Sequence, residues 1–197
     1  MVNYYVKLEQ PLFSHLGARV TRQTLGIRHV VDARPDPETL GKVPGPYGPF
    51  GKIHFSKGTV FSDQFSKDIE AAVYAAGYEL IVAREEGYVA NPQQTQFQGL
   101  LDVTLRDLTI EQFQEIFPST LRVEARMLIE ATLTDPATGR IQWSRVIRAN
   151  ASRDRIVLSA RKYWESAVNE VYTSCLQQLQ EALASSEVRG LLAHQLD

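Results

Sequence analysis

The stretch LRVEARMLIEATLTDPATGRIQWSRVI, residues 121–147, decides the fold, because apolar residues recur at every second position on both sides of a turn. In its first half the apolar residues are Leu121, Val123, Ala125, Met127, Ile129, Ala131 and Leu133. The residues between them are mostly charged: Arg122, Glu124, Arg126 and Glu130. A period of two predicts a long antiparallel strand with one buried face and one solvated face.

The segment DPATGR, residues 135–140, joins this strand to a second one, and the pair predicts a β-hairpin. Ile141, Trp143 and Ile147 continue the apolar side. A plain turn of residues 136–139 would oppose odd-numbered to even-numbered positions, and one apolar set would then face water. We therefore predict a bulge or an equivalent register shift at Gly139, with a positive φ there and Trp143 on the buried face.

Outside the hairpin, the patterns predict helices and further strands. Residues 24–34, 78–84 and 97–106 are typical of strands, and residues 61–77 of an amphipathic helix. Residues 159–186 predict a second long helix with one apolar face. The members of that face are Trp164, Val168, Val171, Cys175, Leu179 and Ala182. The order favours an α+β fold: a twisted, mostly antiparallel sheet of about five strands with two long helices packed on one face.

The length of 197 residues favours a single domain over residues 1–197. Within it we expect an extended N-terminal segment at 1–23, a Gly/Pro-rich loop at 35–60 and a C-terminal tail at 186–197. We find no internal repeat and no low-complexity tract.

Charge and hydropathy exclude several classes of partner. The chain has 21 Lys and Arg against 23 Asp and Glu, a net charge of −2, so no strong field attracts nucleic acid. No apolar run reaches the roughly eighteen residues of a membrane-spanning helix. Nucleic acid is therefore not an expected partner.

The stretch GKVPGPYGPFGK, residues 41–52, resembles a phosphate-binding loop in its glycine content. Its prolines remove backbone N–H groups that such a loop needs, and no helix start follows Lys52. An extended, turn-rich surface loop is therefore favoured over a nucleotide site. Its aromatic residues, Tyr47 and Phe50, either pack back on the sheet or contact a partner.

Other candidates for chemistry are weak, and we predict no catalytic residue, cofactor or metal. Cys175 lies in an apolar helical stripe, which favours a buried thiol over a nucleophile or a ligand. The four histidines are far apart and lack metal-ligand spacing: His15, His29, His54 and His194.

The charged face of the strands is the strongest candidate for an interaction site. Arginines alternate there with Asp102, Glu124 and Glu130. Two interpretations stay open: a solvated ladder of cross-strand pairs, or a protein interface, since arginine is enriched at interfaces. The candidate interaction residues are Arg106, Arg122, Glu124, Arg126 and Arg148, together with Tyr47 and Phe50.

Four stretches together resemble the YajG-type lipoproteins of bacterial envelopes: VVDARPDPETLGKV, GTVFSDQFSKDIEAAVYAAGYELIVA, LLDVTLRDLTI and VEARMLIEATLTDPATGRIQWSRVI. The likeness covers most of residues 25–183. Its elements are a D-x-R strand end, a glycine-containing loop, a helix ending in A-x-G-Y and a hairpin of the form D-x-x-T-G-x-x-x-W. In this chain they are Asp32 and Arg34, Gly41 to Gly51, Ala75 to Tyr78, and Asp135, Thr138, Gly139 and Trp143.

The resemblance implies a lipid-anchored domain on the periplasmic side of the envelope, outer-membrane anchored, with no active-site residues to carry over. We expect a non-enzymatic binding or assembly module with protein partners in the cell envelope, self-association included. The membrane would be reached only through an N-terminal lipid anchor that this chain lacks. Alternatives are an auxiliary subunit of an export or transport machine, a ligand-binding protein or enzyme using residues 41–52, and a cytoplasmic location.

Overall fold

The computed structural model describes residues 2–14, 23–45, 48–56, 60–82, 97–115, 120–156 and 160–193. Within them the chain forms an eight-stranded sheet and three helices. The strands are β1 (Val2–Val6), β2 (Thr24–Asp32), β3 (Gly41–Gly45), β4 (Gly48–Phe55), β5 (Glu79–Val82), β6 (Gly99–Glu115), β7 (Thr120–Thr134) and β8 (Ile141–Ile156). The helices are α1 (Phe61–Ala75), α2 (Ala160–Leu183) and α3 (Ser186–Ala193). The predicted α+β class is confirmed.

Strand β6 lies at the centre of the sheet and pairs with three other strands. Along one edge β7 pairs with it in antiparallel orientation, and β8 pairs with β7 in the same way. Along the other edge β2 and then β3 pair with it in parallel. Strand β5 extends β2, whereas β4 and β1 extend β3. The predicted β7–β8 hairpin is confirmed, but the expectation of about five mostly antiparallel strands is wrong, because the sheet is larger and mixed.

The expected Gly/Pro-rich loop at 35–60 instead contains the antiparallel strands β3 and β4. Gly41 lets β3 approach β6, since a Cβ atom there would lie 2.1 Å from the carbonyl oxygen of Ile110. Pro44 and Pro49 face each other at a register shift, where their missing N–H groups cost the ladder little. The prolines therefore mark an irregular end of this strand pair.

The terminal segments are also more regular than expected. Within the N-terminal segment 1–23, residues Val2–Val6 form β1 and pair in parallel with β4. Within the expected tail 186–197, residues Ser186–Ala193 form α3, which buries Val188 and Leu192. Short elements of this kind carry too few apolar positions for a clear period.

The two long helices pack on one side of the sheet, as predicted. Helix α1 contacts β2 and β5, helix α2 contacts β7 and β8, and the helices contact each other. Their apolar faces join the odd-numbered residues of β7 in one hydrophobic core. The face predicted for α2 is buried throughout: Trp164, Val168, Val171, Cys175, Leu179 and Ala182. The charged residues of β7 lie on the other side of the sheet.

Two bulges keep the apolar residues of the long strands on the core side. In β6 the register shifts between Leu105 and Asp107, so the buried positions change from odd to even numbers. In β8 the shift lies at Gln142, because Ile141 is opposite Thr134 whereas Trp143 is opposite Leu133. Each bulge corrects the pairing by one residue.

The hairpin turn confirms the positive φ predicted at Gly139, which is +69°. Trp143 is buried, as predicted, at 6% exposure. The register shift itself lies at Gln142 and not at Gly139. The interpretation of Ile141 as a buried residue is wrong: it precedes the shift and is 66% exposed.

A buried ion pair closes the end of β2. Arg34 is 6% exposed and donates from Nε and Nη2 to the carboxylate of Asp32 at 2.8 Å and 2.7 Å. Its guanidinium also donates to the carbonyl of Pro37 at 2.7 Å and stacks over the rings of Phe61 and Phe55. The D-x-R element therefore holds the chain between β2 and β3, with both charges paired.

A second buried carboxyl group, that of Asp68, links the two long helices. The Tyr172 hydroxyl donates to its Oδ2 at 2.8 Å, and the Gln64 amide donates to its Oδ1 at 2.9 Å. Neither donor is charged, so burial raises the pKa of Asp68, although both hydrogen bonds oppose the rise.

We expect Gly139→Val to destabilise the protein by about 1 kcal/mol or more, because a β-branched residue is strained at a positive φ. Nothing lies within 4 Å of a Cβ built at Gly139, so the effect measures backbone strain alone. Chemical denaturation followed by circular dichroism gives the difference. Gly139→Asn is the control, since asparagine tolerates this conformation, and it should cost less. Equal losses in the two variants would contradict the strain argument.

Asp68→Asn should remove a pH dependence of stability. Because the native pKa of Asp68 is raised above its unfolded value, its contribution to stability is complete below about pH 4 and is lost as pH rises through the native pKa. The melting temperature of the variant, relative to that of the parent, should therefore increase from about pH 4 to pH 7. Asp63→Asn, at an exposed position of the same helix, should show no such increase. A decrease in the melting temperature of Asp68→Asn, relative to the parent, over this pH range would contradict a raised native pKa of Asp68.

Candidate interaction surface

The outer face is the side of β6, β7 and β8 away from the core. Its charged and polar side chains include Arg106, Asp107, Thr109, Glu111, Arg122, Glu124, Arg126, Glu130, Arg148, Asn150, Ser152 and Asp154. Every second residue points outward, and the β6 bulge brings Asp107, Thr109 and Glu111 to this side. All five charged residues that the sequence nominated lie on this face.

Arg126 is the central charge of the outer face. Its Nε donates to Asp107 at 2.6 Å, and its Nη1 lies 3.1 Å from a carboxylate oxygen of Glu111. The hydrogen bond to Asp107 raises the pKa of the Arg126 guanidinium further above its ordinary value. Because the Arg126 side chain is 54% exposed, solvent screens these pairs.

Two more arginines pair on the same face. Arg106 lies 2.8 Å from Glu130 across the strand pair. Arg122 lies 3.0 Å from Glu124 and stacks over the ring of Phe113, 4.9 Å from its centroid. The interpretation as a ladder of cross-strand pairs therefore describes Arg106 and Arg126, whereas Arg122 pairs along its own strand.

Two like charges nevertheless oppose each other at the centre of the ladder. Glu111 on β6 is the direct register partner of Glu124 on β7, an arrangement that is unfavourable unless other charges compensate it. A groove of about 390 Å³ lies here, lined by both glutamates and continued on β8 by Asn150 and Ser152. The groove offers carboxylate, amide and hydroxyl groups to a partner.

Arg148 differs from the other nominated arginines. It lies on the outer face of β8, opposite Leu128, and no described residue forms an ion pair with it. Asp154, also exposed on β8, faces Arg122, which pairs with Glu124 instead. Within the described part of the chain, the outer face of β8 thus carries one exposed cation, Arg148, and one exposed anion, Asp154, without charged partners.

The sequence interpretation missed a neighbouring cluster on β2 and β6. Arg28 donates from Nε to Asp102 at 3.0 Å, and Nδ1 of His29 lies 3.0 Å from the same carboxylate. The hydrogen bond to Asp102 also raises the pKa of Arg28. A β2 register shift at Arg28 places both side chains there, and it was not visible in the sequence. Asp107 and Glu111 were also missed, although the sequence contained a signal for them. The apolar residues of this strand change from odd to even positions at Leu108 and Ile110, which indicates that the odd positions from there on face outward.

The other candidate residues from the sequence lie away from the outer face or outside the residues that the structure describes. Tyr47 is outside the described residues, and the side chain of Phe50 is not described, so their role stays a prediction. Cys175 is fully buried, and burial raises the pKa of its thiol to about 12. Among the described residues no group of three potential ligands could hold a metal ion.

No protein-family model matches the chain, and no curated protein matches it in sequence. Solved structures do match. A "putative neuraminyllactose-binding hemagglutinin homolog" from Helicobacter pylori has a TM-score of 0.59 at 10% identity, covering 96% of this chain and 98% of that chain. The protein CT253 from Chlamydia trachomatis has a TM-score of 0.50 at 8% identity, covering 86% of this chain and 99% of that chain.

Further similar structures are bacterial proteins with lower TM-scores. XCC0632 from Xanthomonas campestris, of the family DUF330, has a TM-score of 0.49 at 14% identity, covering 99% of this chain and 98% of that chain. Others are described as lipoproteins, with TM-scores of 0.36 to 0.40. At these identities the likeness of the higher-scoring structures defines the fold alone. In the described part of this chain, no helix is long and apolar enough to cross a membrane.

We expect Arg126→Ala to change the free energy of unfolding by less than about 1 kcal/mol, because its ion pairs are exposed. Arg34→Ala is the matched contrast and should cost about 3–5 kcal/mol, since it leaves the Asp32 carboxylate buried without its partner. Urea denaturation of both variants gives the comparison. A large decrease in the free energy of unfolding for Arg126→Ala would show that the ion pairs of Arg126 contribute substantially to stability.

Proposed function

We propose that this protein is a non-enzymatic module of the bacterial cell envelope that binds a protein partner through the outer face. The observation that carries the proposal is the groove between Glu111, Glu124 and Arg126, where a like-charge pair is retained on a solvated surface. Arg126 and Arg122 offset the two glutamates within the chain, and a partner's cation placed between the glutamates stabilises them further.

The mixed sign of the outer face favours a protein over nucleic acid or an anionic surface. Its arginines alternate with carboxylates, so directed pairs with a partner's charges become possible without a large net field. Exposed pairs are weak and exchange readily, so Arg126 or Arg106 can trade a partner within the chain for one on another protein.

Two observations support a role other than catalysis. The Cys175 thiol is fully buried, with a pKa raised to about 12, which disfavours a nucleophilic thiolate. The Gly41–Lys52 stretch forms β3 and most of a paired β4, so its backbone groups belong to a sheet ladder and are not gathered around an anion.

The location is part of the proposal. The D-x-R and D-x-x-T-G elements resemble YajG-type lipoproteins, which supports a lipid-anchored protein on the periplasmic side of the outer membrane. The similar fold of bacterial proteins such as the Helicobacter pylori homolog is compatible with this placement. An envelope fraction that contains the full-length protein, labelled by a fatty acid, would support it.

Photo-crosslinking in cells that produce the full-length protein tests the partner surface. A photoreactive amino acid at Arg106 or Glu124 should give adducts with a second protein in the envelope fraction. Arg126→Glu, which reverses the central charge, should abolish both adducts while the melting temperature stays within a few degrees of the parent.

Lys67, exposed on α1 at the opposite side of the sheet, is the control position. Adducts of equal yield from Lys67, or adducts from Lys67 alone, would refute the outer face as the binding surface. Adducts that survive Arg126→Glu would show that its charges are not what the partner recognises.

A further inference from the structure

The free edge of β8 is long, and no other strand within the described part of the chain pairs with it. Strand β8 spans 16 residues, and among the described strands it pairs only with β7. An edge of this length exposes a row of N–H and C=O groups that another strand can use. Natural edges are commonly shortened, interrupted by proline, bulged or protected by charged side chains. From Trp143 to Ile156 β8 has no proline and no register shift, and it carries charged residues, among them Arg145, Arg148 and Asp154.

The direction of the edge groups follows from one contact. The N–H of Asp135 donates to the carbonyl of Arg140, so the odd-numbered residues of β7, and with them their odd-numbered register partners on β8, hydrogen-bond between the two strands. The carbonyl of Arg148 accepts instead from the Gln178 side chain of α2 at 3.4 Å. Because successive residues of a strand present their backbone groups to opposite sides, the even-numbered residues of β8 supply the free edge. The same residues carry their side chains on the outer face.

On that edge, Arg148 and Asp154 are the exposed charges without charged partners among the described residues. They lie symmetrically about Ala151, each three residues away. If a second β8 pairs antiparallel with Ala151 opposite its own copy, Arg148 of each strand lies opposite Asp154 of the other. Asn150 then lies opposite Ser152, and the two grooves meet at the symmetry axis.

We propose that β8 is a self-recognition edge, along which two copies of this chain pair antiparallel in the register centred on Ala151. Only this register opposes Asp154 to the one arginine on the outer face of the strand. A register centred on Arg148 would instead bring two arginines together. The charges on the edge thus favour one partner and one register and disfavour others.

This inference deepens the proposed function by naming one partner, a second copy, and depends on it only in that the protein acts by protein contacts. The interface consists of backbone hydrogen bonds and two reciprocal ion pairs at the solvated face. Its strength should therefore fall when the ionic strength rises from about 0.05 M to about 0.5 M.

Sedimentation velocity of the purified full-length chain over a range of concentrations tests the proposal. The parent should associate reversibly to a dimer. Arg148→Asp alone and Asp154→Arg alone should each weaken association on the order of tenfold or more, because each places like charges opposite one another. An equimolar mixture of the two variants should associate again, since both ion pairs re-form in the heterodimer.

Arg145→Asp is the matched control: it removes an exposed arginine of the same strand that has no partner in this register, and it should leave association unchanged. A monomeric parent, a mixture that stays monomeric, or equal weakening by Arg145→Asp would each overturn the proposal. If self-association fails while the adducts at Arg106 and Glu124 to a different protein persist, only this inference is lost. If the chain self-associates but no adducts to a different protein form, binding of that second protein is refuted and the dimer is supported.

Discussion

The alternation of side chains along β6, β7 and β8 is the constraint on which the rest of the structure depends. The helices cover one side of these strands, so most apolar residues must reach that side and most charged residues the other. A plain hairpin turn and an unbroken β6 would both violate this rule. The bulges at Arg106 and Gln142 restore it, and they also decide which charges meet on the outer face.

Much of the fold was predictable where a period persisted over many residues. The strand around Met127, the helix around Val168 and the positive φ of Gly139 followed from local patterns alone. The strands β2 and β5 lie within the predicted segments 24–34 and 78–84, but β1 and β3, each only five residues long, were not predictable in the same way. Their pairing depends on close approaches, such as that of Gly41 to β6, which only the folded chain reveals.

The motifs that carry the likeness to envelope lipoproteins turn out to be structural. Asp135 accepts hydrogen bonds from the Thr138 hydroxyl at 2.8 Å and from the Ala137 amide at 2.8 Å, which holds the hairpin turn before Gly139. Although burial opposes it, these hydrogen bonds lower the pKa of Asp135. The Tyr78 hydroxyl donates to the carbonyl of Leu183 at 2.7 Å and joins the end of α1 to that of α2. Residues of this kind stabilise the fold and give no information about a binding partner.

Evidence for function therefore has to come from charged residues that have no structural role within the folded chain. Asp32 and Arg34 are buried together, and the ladder around Arg126 is solvated, so both sets are accounted for by pairing within the chain. Arg148 and Asp154 are not accounted for in this way, because neither has a charged partner among the described residues, and the opposition of Glu111 to Glu124 is offset only through Arg126 and Arg122. All four lie on the outer face, and Arg148 and Asp154 lie on the free edge of β8, which is where a sheet with one covered side has room for another protein.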